Sequence, residues 1–365
     1  MAKSAPTDGL YYADYLQLGR LLAAQEPESA RHGRPAHDEM LFIIVHQAYE
    51  LWFKQILHEL ARIQTDFGGE VLEDENLGRI VHGLDRINEI VKLLVQQLEV
   101  LETMTPLDFL DFRDYLFPAS GFQSTQFRLI EIGLGLAREG RLGYADKPFD
   151  ETLSAEDKSR IAKAEGGPKL IDQLDRWLSR TPFVHRRDYD FSLEYRSAVK
   201  QMLEDDAKRV RANAAMRAEQ REAEAARIEA SLEEFQAIFA PGSGASPWQM
   251  SRAAVQAALF ITVYRDRPVL QLPFRLLAAL MNLEELLTLW RYRHALMVQR
   301  MIGVKIGTGG SAGHEYLRDT AAKHRIFSDL FRLSTYLIPR SRLPKLPREV
   351  EDAMGFSYAA GANGR

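Results

Sequence analysis

The 365-residue sequence contains no cysteine. Disulfides, zinc–thiolate sites, a thiolate-ligated heme and covalent attachment of a c-type heme are therefore excluded. Any heme in this protein would have to be held by histidine, methionine or tyrosine side chains.

Long apolar runs are also absent. The longest uncharged apolar segments, residues 40–45 and 257–264, are far shorter than the roughly 20 residues needed to span a bilayer, and no signal peptide opens the sequence. These features predict a cytoplasmic protein without a membrane segment. The net charge of −4 predicts no general attraction to nucleic acid or to anionic lipid.

The sequence has no convincing series of alternating strand patterns, so the predicted fold class is all-α. Several common site motifs are missing as well. The glycine-rich residues 307–311 do not fit a P-loop, because no strand precedes them and no Lys-Ser or Lys-Thr follows. No Glu-x-x-His pair supports a di-iron bundle, and His58-Glu59 lacks the second histidine of a zinc protease.

Residues 282–303 form the most informative predicted helix. Asn282 and Glu285 make a plausible capping pair at its start, and Gly303 is a natural stop. His294 lies in the middle of an apolar stripe with helical spacing. The stripe comprises Leu283, Leu286, Leu287, Trp290, Met297, Val298 and Met301. Such an imidazole suits a metal or heme iron, although from this helix alone a core histidine is the commoner interpretation.

A second long helix is predicted from Glu39 to about residue 62, with Asp38 as its cap. It carries two apolar stripes, and His46 belongs to the one that also contains Phe42. Two facing imidazoles could flank a heme, one as proximal ligand and the other as distal hydrogen-bonding group. The alternative is that His46 is a core histidine bonded to a backbone carbonyl.

Arg113 lies beside Phe109 in a short aromatic segment. A guanidinium at the edge of an apolar pocket is suited to a bidentate grip on a carboxylate. The alternative is a local ion pair with Asp108 or Asp114.

Tyr12 and Tyr15 stand close to the N terminus. They could pack within the chain or fix this arm onto a neighbouring subunit, and the sequence alone slightly favours packing. We expect a single domain over residues 1–365, with a disordered arm at 1–9, a helical excursion at about 150–240 and a loose tail at 356–365. Ser246 with Pro247 predicts a helix start, and residues 268–273 predict a turn before the His294 helix.

Together these candidates and their neighbours resemble the tryptophan 2,3-dioxygenase family. The matching stretches are residues 12–16, 37–60, 101–131, 290–294, 301–313 and 334–340, with YADYL, HQAYELW, PASGFQS, WRYRH and STYLIPR among them. The matches extend over nearly the whole chain except residues 140–245. Two departures are Ala13 in place of a usual glycine, and residues 312–315 after the glycine loop.

The resemblance implies an all-α heme protein that assembles as a homotetramer, a dimer of dimers, with one heme b per subunit that is active when ferrous. It implies cleavage of the indole C2–C3 bond of L-tryptophan with O2 to give N-formyl-L-kynurenine, the first step of tryptophan degradation. Two alternatives stay open. One is a heme enzyme of the same fold that oxidises a modified indole, and the other is a non-catalytic heme-binding helical protein.

The resemblance also implies roles for residues around the heme. His294 would be the proximal iron ligand, and His46 would be the distal residue near the indole nitrogen. Three further residues would touch the heme or the substrate less directly. These are Ser120, Gly121 and Trp290.

For the substrate, the resemblance implies that Arg113 holds the carboxylate and that Thr308 binds the polar end of the amino acid. Phe42 and Phe109 would form the walls around the indole. Two residues would come from a neighbouring subunit, in contrast to the packing role that the sequence alone favours. These are Tyr12 and Tyr15.

Overall fold

The computed structural model describes residues 9–69, 71–138, 153–186, 189–239, 248–303, 305 and 313–355. Within these ranges the chain is almost entirely helical, and the only paired strands are the two-residue β1 (His185–Arg186) and β2 (Tyr189–Asp190). The all-α prediction is therefore confirmed. Thr308, most of the predicted N-terminal arm and the tail from residue 356 lie outside the described ranges.

The α-helices of the described chain follow one another in this order: α1 (Tyr12–Tyr15), α2 (Leu18–Leu21), α3 (Glu28–Arg31), α4 (Glu39–Phe67), α5 (Asp74–Leu101), α6 (Pro106–Arg113), α7 (Thr125–Leu134), α8 (Ala155–Glu165), α9 (Leu170–Leu178), α10 (Phe191–Arg211), α11 (Ala218–Phe239), α12 (Arg252–Val263), α13 (Pro268–Ile302), α14 (Gly313–Lys323), α15 (Ser328–Arg332) and α16 (Arg348–Ala353). Short 3₁₀ helices cover Asp114–Leu116, Gly121–Gln123, Leu333–Tyr336 and Arg340–Arg342. No described helix combines the length and the apolar character needed to cross a bilayer.

The three longest helices, α4, α5 and α13, form the centre of the fold. Helix α5 packs against both of the others, and its apolar face, with Leu84 and Ile87 among its members, is almost fully buried. Burying a side chain of this size contributes roughly 1.5–3 kcal/mol before entropy is considered. Two buried side chains tie these helices together through backbone carbonyls. The Tyr49 hydroxyl donates to the carbonyl of Leu94 at 2.8 Å, and the Asn88 amide donates to that of Ala279 at 3.0 Å.

Helix α13 is longer than the sequence predicts. The structure has no turn between Pro268 and Pro273 and no helix start at Asn282, because one helix runs from Pro268 through Ile302. Pro268 occupies the first turn, where a missing N–H costs nothing. Pro273 removes one internal hydrogen bond, and the buried apolar face of the helix offsets that loss. The predicted end is confirmed, since Gly303 follows the helix with a φ of +59° that favours glycine.

Other predicted helix boundaries need smaller corrections. Asp38 precedes α4 as predicted, but its side chain makes no capping hydrogen bond. Helix α12 is capped by Ser251, whereas the predicted start at Ser246 and Pro247 lies outside the described residues. Residues 155–165 form α8, with Ser154 as its N-cap. Each correction concerns local capping and leaves the central helices unchanged.

A non-helical turn at residues 324–327 separates α14 from α15. Glu284, buried on α13, explains the position of this turn. Its carboxylate accepts the backbone N–H groups of Ile326 and Phe327 at 2.8 and 2.9 Å. A buried carboxylate needs such partners, so α13 holds the turn in place from a distance of more than forty residues in sequence.

Candidate active site

A large cavity lies among α4, α6, α7, α13 and α14. Its volume is about 1160 Å³ when its open mouth and the gaps between the lining atoms are included. Most of the candidate residues line it, and these are Phe42, His46, Phe109, Arg113, Ser120, Gly121, Trp290 and His294. The fold therefore brings together side chains that are up to about 250 residues apart in the sequence.

His46 projects into this cavity from α4. Its Nδ1 lies 2.7 Å from the carbonyl oxygen of Phe42, one turn earlier. Because a carbonyl can only accept, the proton of the neutral ring is on Nδ1, and Nε2 is left as an acceptor. Burial lowers the pKa of His46, while the Phe42 carbonyl and the Glu50 carboxylate act in the opposite direction. The ring is therefore neutral at pH 7.

His294 reaches the same cavity from α13. Its ring lies against the Trp290 indole, with the two ring centres 5.4 Å apart and their planes inclined by 30°. Burial, and to a smaller extent the proximity of His46, lower the pKa of His294 to about 4. Both imidazoles lie deep in the protein, yet part of each surface faces the cavity. A neutral imidazole is the form that binds iron.

An aromatic wall covers the side of the cavity next to His46. The Phe42 ring centre lies 4.0 Å from that of His46 and 5.7 Å from that of Phe109. Phe112, fully buried, packs edge-on against Phe109 at 5.4 Å. Tilted and edge-on contacts of this kind are favourable for aromatic rings, so the wall is apolar and well supported. It suits a flat aromatic ligand.

Arg113 ends α6 and extends towards the aromatic wall. The start of this helix is fixed by Thr105, whose hydroxyl accepts the N–H of Asp108, while the Asp108 carboxylate accepts the N–H of Thr105 at 3.0 Å and its hydroxyl at 2.6 Å. Asp108, one of the two local partners that the sequence offers to Arg113, is therefore engaged in a helix cap. Arg113 itself lines the cavity.

The segment that carries Ser120 and Gly121 is held by hydrogen bonds at its two ends. The Gln123 side chain accepts the N–H of Ser120 at 3.1 Å. The Ser124 hydroxyl donates to the carboxylate of Glu50 at 2.6 Å. Glu50 follows His46 on α4 by about one turn. The same part of α4 therefore positions both this segment and the His46 imidazole.

A buried charged cluster forms another part of the cavity wall, and the sequence analysis missed it. The Glu131 carboxylate meets Arg128 at 2.7 Å, Arg291 at 3.0 Å and Nδ1 of His324 at 3.1 Å. Burial alone would raise the pKa of Glu131, but the two guanidinium groups and His324 outweigh it and hold that pKa well below its usual range. Only the three-residue spacing of Arg128 and Glu131 could have indicated part of this cluster.

Three candidate residues are not placed at the cavity. Tyr12 and Tyr15 on α1 do not line it, and their side chains are 70% and 69% exposed. Simple packing within the chain, which the sequence alone slightly favours, is therefore wrong for these two tyrosines. Thr308 lies outside the described residues. The single chain thus provides the imidazoles, the aromatic wall and the arginine of the predicted site.

Within the described residues, no group of three or more His, Asp or Glu side chains is arranged to hold a metal ion. The cavity is lined by two neutral imidazoles, the donor type that binds heme iron, so the residues present fit this group.

Fold and cavity together define an all-α protein whose large cavity is lined by aromatic rings, two neutral imidazoles and an arginine. A family model described as tryptophan 2,3-dioxygenase matches residues 2–337. The tryptophan 2,3-dioxygenase of Bdellovibrio bacteriovorus is 48% identical over 96% of this chain and 99% of its own length. Those of Alteromonas mediterranea and Dictyostelium discoideum are 46% and 43% identical, over 95% and 96% of this chain and 97% and 89% of their own lengths. The chain belongs to the tryptophan 2,3-dioxygenase family.

Proposed function

We propose that this protein cleaves the indole C2–C3 bond of L-tryptophan with O2 and releases N-formyl-L-kynurenine. Membership of the family supports the reaction. The observation that carries the proposal is that two neutral imidazoles, an aromatic wall and a guanidinium line one cavity. These groups match an aromatic amino acid that reacts beside an iron cofactor.

We propose that one heme b, active when ferrous, binds in the cavity with His294 as its protein ligand. The neutral imidazole of His294, which faces this cavity, supports this choice. Trp290, Ser120 and Gly121 contribute further surface to the same cavity. When bound, the heme supplies the oxygen-activating chemistry.

The substrate would be oriented by its two polar ends and its flat ring. Arg113 pairs with the carboxylate, and Thr308 binds the polar end of the amino acid, as the family resemblance implies. Phe42 and Phe109 hold the indole between apolar surfaces. Fixing the ring in one orientation lowers the entropy cost of reaction, which is catalysis by positioning.

His46 would bind the indole nitrogen. Because its Nδ1 is committed to the Phe42 carbonyl, Nε2 can accept the indole N–H as a hydrogen bond. The lowered pKa of His46 keeps this acceptor available at neutral pH. His46 thus sets the orientation of C2 and C3 within the cavity.

We further propose a homotetramer, a dimer of dimers, in the cytoplasm, with residues 1–365 as a single heme dioxygenase domain. The exposure of Tyr12 and Tyr15 supports a role for the N-terminal arm in a neighbouring subunit, because large aromatic rings rarely stay solvent-exposed together without a contact. In this arrangement both tyrosines would reach the partner's cavity.

The test is a single turnover assay. The purified protein is mixed with hemin, reduced without oxygen, and then given L-tryptophan followed by isotopically labelled O2. We expect a product that contains both atoms of one O2 molecule. Incorporation of one atom would indicate the alternative enzyme that oxidises a modified indole, and a stable heme spectrum without product would indicate a non-catalytic heme protein.

A further inference from the structure

A second, smaller cavity lies behind the wall of the large one. It is enclosed among α4, α5, α7 and α13, and every residue around it is Phe, Trp, Ile, Leu or Val. Phe53, Val91 and Leu283 are examples from three of these helices. No polar atom contributes to its surface. We call it the rear cavity.

The size of the rear cavity admits one small molecule. Its volume is about 350 Å³ when the gaps between the surrounding atoms are included. The free space at its centre is about the minimum room for a single water. Water needs two to four polar partners in such a site, and the rear cavity offers none. A small apolar molecule gives up no hydrogen bonds when it enters this cavity, so the apolar walls favour an apolar gas over water.

Two aromatic side chains separate the rear cavity from the large one. Trp290 and Phe127 line both cavities, and their ring centres are 4.9 Å apart. Phe53 packs edge-on against Trp290 at 6.2 Å. The partition is therefore a single layer of rings rather than a layer of backbone.

Packing against neighbouring aromatic rings supports the Trp290 side of this partition. Its indole N–H makes no hydrogen bond to any of the described residues. The Tyr49 hydroxyl lies close enough for the indole N–H to oppose the rise in the pKa of Tyr49, while its own O–H donates to the carbonyl of Leu94. Small shifts of these side chains would allow a diatomic molecule to pass.

We propose that the rear cavity is a binding site for dioxygen that supplies the reaction cavity through the Trp290–Phe127 partition. The inference rests on the proposed function, because that reaction consumes O2 next to His294. An unfilled apolar cavity costs stability, because close packing at this position would stabilise the core. Binding of dioxygen would give this unfilled space a function. Trp290 would then separate two functional cavities rather than line only one.

Xenon is the probe for binding, because it enters apolar protein cavities without needing polar contacts. Crystals of the purified protein without heme are pressurised with xenon, and anomalous scattering locates the bound atoms. We expect one xenon atom in the rear cavity of the wild type. Val91→Ile adds one methyl group to the cavity wall and should remove that atom. The matched control is Val199→Ile, which makes the same change at a buried position on α10 outside both cavities.

The kinetic arm uses the heme-loaded protein. For Val91→Ile we expect a KM for O2 raised by about threefold with an unchanged KM for L-tryptophan, whereas Val199→Ile should change neither. An absence of xenon from the rear cavity of the wild type overturns the inference. So does an unchanged KM for O2 in a folded Val91→Ile protein that no longer binds xenon.

The two arms separate this inference from the proposed function. Xenon binding requires neither heme nor turnover, so a wild-type protein that binds xenon but never oxidises tryptophan would reject the proposed reaction and the supply role together, while the gas site itself would stand. Normal tryptophan oxidation without xenon in the rear cavity would reject only the inference drawn here.

Discussion

Glu131 on α7 and Arg291 on α13 form an ion pair of 3.0 Å across 160 residues of sequence. Both side chains are almost completely buried, with 2% and 3% of their surfaces exposed. Arg291 precedes His294 by three residues, so the two side chains lie on neighbouring parts of one helix surface. The ion pair therefore fixes the rotation of α13 at the point where His294 enters the cavity.

Glu131→Gln should destabilise the fold by about 3–5 kcal/mol at pH 7, because it leaves buried guanidinium groups without their carboxylate. The pKa of Glu131 is lowered in the folded state from an ordinary 4.5, so the folded protein keeps the carboxylate ionised where the unfolded chain takes up a proton. The free energy of unfolding that the Glu131 carboxylate contributes is complete above about pH 4.5 and decreases as the pH falls below that value. Urea unfolding at several pH values should show the wild type and the variant converging below pH 4.5.

The control for this prediction is Glu89→Gln. Glu89 pairs with Lys92 at 2.7 Å, but both side chains are more than half exposed. A surface pair of this kind is worth little. Equal losses of stability in the two variants would contradict the role given to burial at Glu131.

His294→Ala should lose heme, because no other described imidazole stands on the same part of α13. His294→Gly should recover a heme spectrum when free imidazole is added, since the shortened side chain leaves room for an external ligand. The absorbance of the heme band relative to protein measures both results. His324→Gln is the matched control, because His324 lines the same cavity and is not a proposed ligand. Loss of heme from His324→Gln but not from His294→Ala would reverse the assignment.

His46→Ala should weaken the reaction of tryptophan by removing one hydrogen bond, an effect of about 1 kcal/mol or roughly fivefold in kcat/KM. An analogue methylated on the indole nitrogen has no N–H to donate, so the same substitution should leave its kcat/KM almost unchanged. The ratio of the two substrates isolates the hydrogen bond from any general loss of packing. Equal effects on both substrates would show that His46 does not bind the indole nitrogen.

The main helices and most of the candidate site could be predicted from sequence because they depend on local patterns. The apolar spacing around His46 and His294 indicates which helix faces are buried, and Gly303 marks a helix end. The start of α4 could also be predicted, but the hydrogen bonds that hold this end of the helix could not. Asp38 makes no capping bond, and the neighbouring Glu39 instead accepts the backbone N–H groups of Glu28 and Ser29.

The features that sequence patterns missed depend on distant partners. Glu284 and Glu131 look like ordinary helix-surface residues in the sequence, yet both are buried because residues 324–327 and Arg291 supply their hydrogen bonds. The continuous α13 through Pro273 likewise reflects packing against α5 rather than local propensity. No spacing rule within a single helix contains this information.

Arg113→Ala should weaken the binding of tryptophan or of its transition state by roughly 2–5 kcal/mol, because the substrate carboxylate would lose its charged partner. Tryptamine has the indole and the amine but no carboxylate. Its binding, measured through the change in the heme spectrum, should depend little on Arg113. Arg113→Lys keeps the charge but not the two-point geometry and should fall between the wild type and Arg113→Ala. If Arg113→Ala weakened tryptamine and tryptophan equally, the contact with the carboxylate would be rejected.

Tyr12 and Tyr15 are exposed in the single chain, so their proposed place in a partner's cavity can be tested by mixing subunits. Tyr12→Ala and Arg113→Ala should each impair the reaction when expressed alone. If the arm of one subunit completes the cavity of another, co-expression of the two variants in equal amounts creates some sites with an intact arm and an intact Arg113, about a quarter of all sites when subunits combine at random. Activity should then exceed the average of the two separate variants. A mixture that shows only that average would place all the residues of each site within one chain, because no exchange of arms could then restore a complete set.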